Sequence, residues 1–183
     1  MKKLILLIQI LFSTLQFICQ ENYIKYESKD MKFYYPDSYE ISEKRIMYDI
    51  NVKLMSKKPN YDGTTDNIGI VLNSLFSKIA EINKENYTLD WKRKVYEDFK
   101  KAGINNVSPN ELSFEKKIIQ NKEVMVRDIH ILLMDYNISS YQREYIFIQN
   151  NKTCFIINTG SSIDELNLKE LEIKEIINSL EIF

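Results

Sequence analysis

Two hydrophobic periods divide the chain. Between Glu111 and Ser161 the apolar positions fall in runs dense in β-branched and aromatic residues: Val124, Val126, Ile129 and Ile131, then Tyr145 to Ile148, then Phe155 to Ile157. Such side chains lose rotamer freedom on a helix and pack well on a pleated surface. The pattern predicts strands at Glu111–Gln120, Glu123–Asp135 and Tyr141–Thr159, the last interrupted at Asn150-Asn151-Lys152. Polar residues at Asn121-Lys122, at Tyr136 to Ser140 and at Asn150-Asn151 predict tight turns, because Asn tolerates the left-handed backbone that hairpins require. Segments joined this way pair antiparallel. The run Ile129-His130-Ile131-Leu132-Leu133-Met134 is apolar on both sides of a strand, which predicts cover on both faces of the sheet.

Upstream the period-two pattern continues. Tyr23–Glu27 and Met31–Tyr35 read as strands joined by Ser28-Lys29-Asp30, and Pro36 ends the second because it lacks a ladder donor. Ser38 to Ile41 continues as an extended segment. From Ile46 to Met55, Tyr48, Ile50, Val52 and Leu54 alternate with Asp49, Asn51 and Lys53, the signature of a half-buried strand. Ser56 to Asn67 is a polar loop. Ile68 to Leu75 is a further strand, with Gly69 marking a bulge or a close contact. Ser77 to Asn86 is open between loop and a short helical turn.

The period changes to 3.6 at Trp91, Val95, Phe99 and Ala102, which share one helical face. A helix over Thr88–Ala102 follows, capped by Thr88, favoured by Asp90 at its positive end and closed by Gly103. A second helix, roughly Asn167 to Leu180, carries the stripe Ile173, Ile176, Ile177, Leu180. Ser162 to Glu165 and Asn167 to Glu170 both fit a capping box there. The order strands, helix, strands, helix lays both helices on a largely antiparallel sheet, an α+β fold.

The first residues follow neither period. Met1-Lys2-Lys3 is basic, and Leu4 to Ile18 is apolar except at Gln9, Ser13, Thr14 and Gln16. A run of that length suits an export signal better than a membrane span, which needs about 20 residues. The reading is a signal peptide over 1–19 and one domain over 20–183. Cleavage after Cys19 and lipidation of Cys19 are both open, so Cys19 is a candidate lipid-attachment residue. Either route leaves Cys154 as the other thiol, with no internal disulfide, and its strand context makes it a small core hydrophobe.

Composition narrows the function. Among 183 residues, 25 Lys+Arg stand against 26 Asp+Glu, a formal net charge of −1, which gives no global attraction to nucleic acid. Membrane attachment is expected only through a lipid on Cys19. Four glycines do not supply a phosphate-binding loop, and no cofactor is implied. His130 is the single histidine, with Asp128 two residues before it on the same strand face. Such a pair can act as a base, but spacing brings no Ser or Cys nucleophile beside it, and the preferred reading is a satisfied sheet histidine. Asn60, Asp62 and Asp66 supply oxygen ligands in a Gly-containing loop without the EF-hand spacing, and read as a solvated loop.

One stretch and one ending carry a resemblance. Tyr26-Glu27-Ser28-Lys29-Asp30-Met31-Lys32-Phe33-Tyr34-Tyr35-Pro36-Asp37-Ser38-Tyr39 resembles the opening of PsbP-like domains: a polar turn, an apolar strand, Pro, then an aromatic residue. The family's usual aromatic there is Trp; here it is Tyr39. Ile176-Ile177-Asn178-Ser179-Leu180-Glu181-Ile182-Phe183 resembles the family's final helix. The resemblance implies an α/β/α sandwich with a central, largely antiparallel sheet, and relatives that are mostly interaction modules, many of them envelope proteins. It brings no catalytic motif.

The expected function is therefore a secreted, periplasmic or envelope-associated, non-enzymatic binding or assembly module. It would meet a protein partner through Tyr35, Tyr39 and Tyr61, since rings with polar tips suit interfaces. The alternatives are a small hydrolase using His130 and Asp128, and a periplasmic stress or assembly factor with no fixed ligand.

Overall fold

The computed structural model describes residues 22–42, 52–58, 67–73, 82 and 84–183. The candidate residues Cys19, Asn60, Tyr61, Asp62 and Asp66 lie outside them, as do Tyr48 of the expected strand and most of Ser77 to Asn86; of Trp91 only the backbone is described.

The first hairpin forms where expected. β1 (Tyr23–Glu27) and β2 (Met31–Pro36) pair antiparallel around Ser28, whose hydroxyl accepts from the amides of Asp30 and Met31, both at 3.3 Å. A two-residue strand near the end of the chain, β10 (Glu181–Ile182), adds to the other side of β2. These three strands make a small sheet.

The main sheet has seven strands in the order β3-β4-β5-β9-β8-β7-β6. They are β3 (Tyr39–Ser42), β4 (Val52–Ser56), β5 (Asn67–Asn73), β6 (Val107–Ile119), β7 (Lys122–Leu133), β8 (Ile138–Gln149) and β9 (Lys152–Gly160). Every pairing is antiparallel. Two of its hairpins turn on left-handed pairs: Gln120-Asn121 at φ 50° and 63°, and Asn150-Asn151 at φ 51° and 58°. The first turn therefore sits one residue earlier than Asn121-Lys122, and Lys122 opens β7. Between β7 and β8 a 3₁₀ turn, Met134–Tyr136, is followed by Asn137 in the left-handed region at φ 51°. The ladder runs through Gly69 in register on both sides; the sheet's irregularity is at Leu112, where β6 bulges between Glu111 and Ser113.

Among the described residues, three α-helices complete the fold. α1 (Lys84–Lys101) begins four residues before the expected Thr88 and ends where expected. Gly103 is left-handed at φ 82°, its amide reaching the Lys100 carbonyl at 3.0 Å and that of Ile104 reaching Phe99 at 2.9 Å. This is the Schellman closure. The expected final helix is two: α2 (Ile163–Leu168) and α3 (Glu170–Ser179), broken at Lys169. The first of the two capping boxes is the one used. Ser162 Oγ accepts from the Glu165 amide at 3.2 Å, while the Glu165 carboxylate takes the Ser161 amide. α3 starts without a side-chain cap.

Both faces of the main sheet are covered. On one face Val124, Val126, Tyr145, Phe147, Cys154 and Ile156 meet Ile173, Ile176, Ile177 and Leu180 of the α3 stretch and Met31, Phe33 and Tyr35 of the small sheet. On the other, Met125, Ile146 and Phe155 meet Ile82, which leads into α1, while α1 packs against β6. The double cover centres on Val124 to Ile129 and fades along Ile131 to Leu133, which are half-buried; Met134 is exposed. The expected covered stretch is thus shifted towards the Gln120-Asn121 turn, because the other end of β7 runs past the helices. The whole is an α+β fold, an antiparallel sheet between helical layers.

Candidate functional site

The polar groups on the main sheet are organised by two neighbouring rungs of the β7–β8 ladder. Arg127 faces Glu144, and Asp128 faces Arg143. Successive residues point to opposite faces, so the two ion pairs stand back to back through the sheet. On the α1 side, Arg127 Nε and Nη2 donate to Glu144 Oε2 at 3.0 and 2.6 Å, and Gln142 donates to Glu144 Oε1 at 2.7 Å. Arg127 is 0% and Glu144 5% exposed. On the α2 side, Arg143 Nε and Nη2 grip both oxygens of Asp128 at 2.6 and 2.9 Å, and Nη1 reaches Asn167 Oδ1 at 3.0 Å. The Asp128 carboxylate holds the Arg143 guanidinium above its usual pKa. Burial pushes the Tyr145 phenol, on the same face, up to about 12.

Each charge in this cluster is closed onto another. A bidentate Arg–carboxylate pair is a positioning element, and no buried charge is left aimed at open space. Spacing alone hid this. The signal is nonetheless in the sequence: Arg127-Asp128 laid antiparallel on Arg143-Glu144 matches opposite charges on two consecutive rungs, and a two-residue slip in either direction loses both matches.

His130 lies further along the same face as Asp128, but the two do not pair, because Asp128 is held by Arg143. The imidazole stacks on Tyr141 with ring centroids 4.6 Å apart. Its Nε2 is 2.7 Å from Ser139 Oγ, a partner that the β7–β8 turn delivers and that linear spacing missed. Cys154 is fully buried, and burial raises its thiol pKa, which keeps it protonated and inert. Among the described residues no three His, Cys, Asp or Glu side chains gather as metal ligands, and no helix is long and apolar enough to cross a membrane.

Two of the expected contact tyrosines, Tyr35 and Tyr39, do not offer exposed rings. Tyr35 is 6% and Tyr39 4% exposed, both within the core shared with α3. Tyr39 hydrogen-bonds Glu172 at 2.7 Å. Alternation is the reason: Phe33 and Tyr35 point inward from β2, so Tyr34 between them points out. The outward face of the small sheet carries Tyr23 and Tyr34 at 40% and 46% exposure, with Phe183 beyond β10 at 54%. The charges among these rings are mutually neutralised, Lys25 with Glu27 and Lys32 with Glu181.

This architecture has known counterparts. The solution structure of the cyanobacterial PsbP, CyanoP, from Synechocystis matches with a TM-score of 0.62 over 89% of this chain and 94% of the other, at 9% sequence identity. The Ran-binding protein Mog1p of Saccharomyces cerevisiae matches with a TM-score of 0.50 over 89% of this chain and 96% of the other, at 11% identity. The fold is thus the PsbP-like one. No protein-family model matches the sequence, and no curated protein sequence matches it.

Proposed function

We propose that this chain is an exported, non-enzymatic binding or assembly module that meets another protein through the outer face of its small sheet. The carrying observation is the contrast between two regions. Where the fold buries charge, every carboxylate–guanidinium contact is closed on a partner; where it exposes large apolar groups beside β2, Tyr23, Tyr34 and Phe183 stand on one neutral face. Aromatic rings with polar tips ringed by neutralised charge suit a protein surface. The PsbP-like scaffold supports the reading, since Mog1p, which shares it, is a Ran-binding protein. Export rests on the basic start and apolar run of residues 1–18.

A photo-crosslinking residue at position 34, expressed in the source cells, tests the surface. A discrete crosslinked protein that disappears with Tyr23→Ala is the expected result; free chain alone sinks the proposal. Mass spectrometry of the mature N-terminus tests export, as a chain starting at Gln20 or a lipid on Cys19. Tyr61 lies outside the described residues, and its part in partner contact is proposed from the sequence alone. Tyr35→Ala and Tyr39→Ala act through stability, because both rings are buried.

A second reading has one observation behind it. The 2.7 Å contact between His130 Nε2 and Ser139 Oγ is the geometry of a base beside a nucleophile. It lacks the orienting carboxylate, because Asp128 is committed to Arg143. Ester hydrolysis by the purified protein that is abolished in both Ser139→Ala and His130→Ala would establish this reading over the first.

A further inference from the structure

We infer that two copies of this chain pair antiparallel through β1, joining their small sheets into one six-stranded sheet across a two-fold axis. The inference concerns the edge of the small sheet, not its outer face, and holds whether or not that face takes another protein.

Among the described residues β1 is an edge strand, bonded to β2 on one side. Natural edges are blunted by proline, bulges, clustered lysines or extreme shortness. The edges of the main sheet follow that rule. β6 carries Pro109, the Leu112 bulge and Lys116-Lys117, and β3 has four residues. β1 has five residues, Tyr23-Ile24-Lys25-Tyr26-Glu27, with no proline or bulge, and Tyr23 and Ile24 are exposed.

Symmetry and charge then select a register. A two-fold axis through an antiparallel pair stands perpendicular to the sheet, so like faces meet and the axis passes through a residue position. Centred on Lys25, the pairing sets Lys25 against Lys25 of the second copy, which like-charge repulsion disfavours. Centred on Tyr26, it sets Lys25 against Glu27 of the second copy, and Glu27 against Lys25, on the outer face where the intrachain pair Lys25–Glu27 already sits. The inner face agrees. Tyr35, Phe33 and Tyr26 form a row of rings with centroid separations of 6.1 and 5.0 Å, which ends half-buried at Tyr26. Tyr26 of the second copy continues that row.

Analytical ultracentrifugation of the purified protein, its N-terminus fixed by mass spectrometry, tests this. The expected result is a monomer–dimer equilibrium in the micromolar range. Lys25→Glu and Glu27→Lys should each weaken it about tenfold or more, since each turns two attractive cross-strand pairs repulsive. The double exchange Lys25→Glu with Glu27→Lys should restore it. These side chains are exposed, and unchanged circular dichroism confirms that each variant folds. A monomer at every concentration overturns the inference, and so does a dimer indifferent to the single exchanges.

Discussion

Among the described residues, Arg127 is the bulkiest side chain that the fold removes completely from water, and Glu144 meets it on the same rung. Removing one member of such a pair strands the other charge in a low-dielectric setting, which costs about 3–5 kcal/mol. Replacing both by apolar groups removes the desolvation along with the attraction. We therefore expect Arg127→Met and Glu144→Leu each to lower the urea midpoint sharply, and the double variant to recover most of the loss; additive losses would show that the two act separately. A second residue on the other face gives a pH signature. Tyr145 has its pKa raised from 10.0 to about 12 by burial, with the neighbouring Arg143 opposing the shift. The folded state holds this proton more tightly than the unfolded chain, so its contribution is complete below pH 10 and is lost as the pH rises towards 12. The size is about 2–3 kcal/mol. Unfolding midpoints across that window should fall in the native protein and fall less in Tyr145→Phe. None of this was legible from single residues. Charged positions inside strands look like solvated faces until the register is known, and the register becomes legible only when Arg127-Asp128 is set against Arg143-Glu144.

Element boundaries were legible where one residue's backbone decides them. Gly103 ends α1 because its φ of 82° suits a residue without Cβ; an added Cβ there meets no neighbouring atom, so the cost of Gly103→Ala is purely conformational. We expect about 1 kcal/mol, read as a lower melting temperature. The Asn-containing turns behaved alike, set by positive φ at Gln120-Asn121 and Asn150-Asn151. Boundaries set by tertiary contacts were not legible. The break between α2 and α3 falls at Lys169, where Leu166 on one side and Ile173 on the other both enter the core. The far end of α3 depends on a residue from another element. Lys122 Nζ donates to the carbonyls of Ile177 and Leu180 at 2.6 and 3.1 Å and lies 5.4 Å from the Phe147 ring centroid. Its burial lowers its pKa below the usual lysine range, yet its donors satisfy carbonyls that the helix end leaves open. Lys122→Met should leave those carbonyls without their partner at a cost of about 1–3 kcal/mol. Hydrogen exchange of the last turn of α3 should then quicken more than that of β7.

The whole molecule hangs on the middle strands of the main sheet, whose two faces belong to different packed groups. β9 shows the arrangement most directly: Cys154 and Ile156 point towards α3 and the small sheet, and Phe155 towards the Ile82 side. Loosening one layer would therefore uncover one face of β9 and leave the other packed. The Cys154 thiol reports on the α3 face. It is fully buried, and burial raises its pKa, so the folded state presents neither access nor thiolate to a thiol reagent. If α3 and the small sheet open only when the domain unfolds as a unit, the free energy for labelling Cys154 equals the global unfolding free energy, and the two fall in parallel with added urea. If the α3 layer opens alone, labelling proceeds at a smaller free energy with a shallower urea dependence. The chain favours the first outcome, because α3 is fastened on three sides. The Ser179 hydroxyl takes the Tyr34 amide at 3.0 Å, Glu172 takes the Tyr39 hydroxyl at 2.7 Å, and Lys122 holds the final carbonyls. Each fastening joins α3 to a different strand, so α3 cannot leave without breaking contacts to β2, β3 and β7 together. We expect the labelling and unfolding free energies of the native protein to coincide. Tyr39→Phe should lower the two equally, while separation of the two in the native protein would show that the α3 layer is an independent unit.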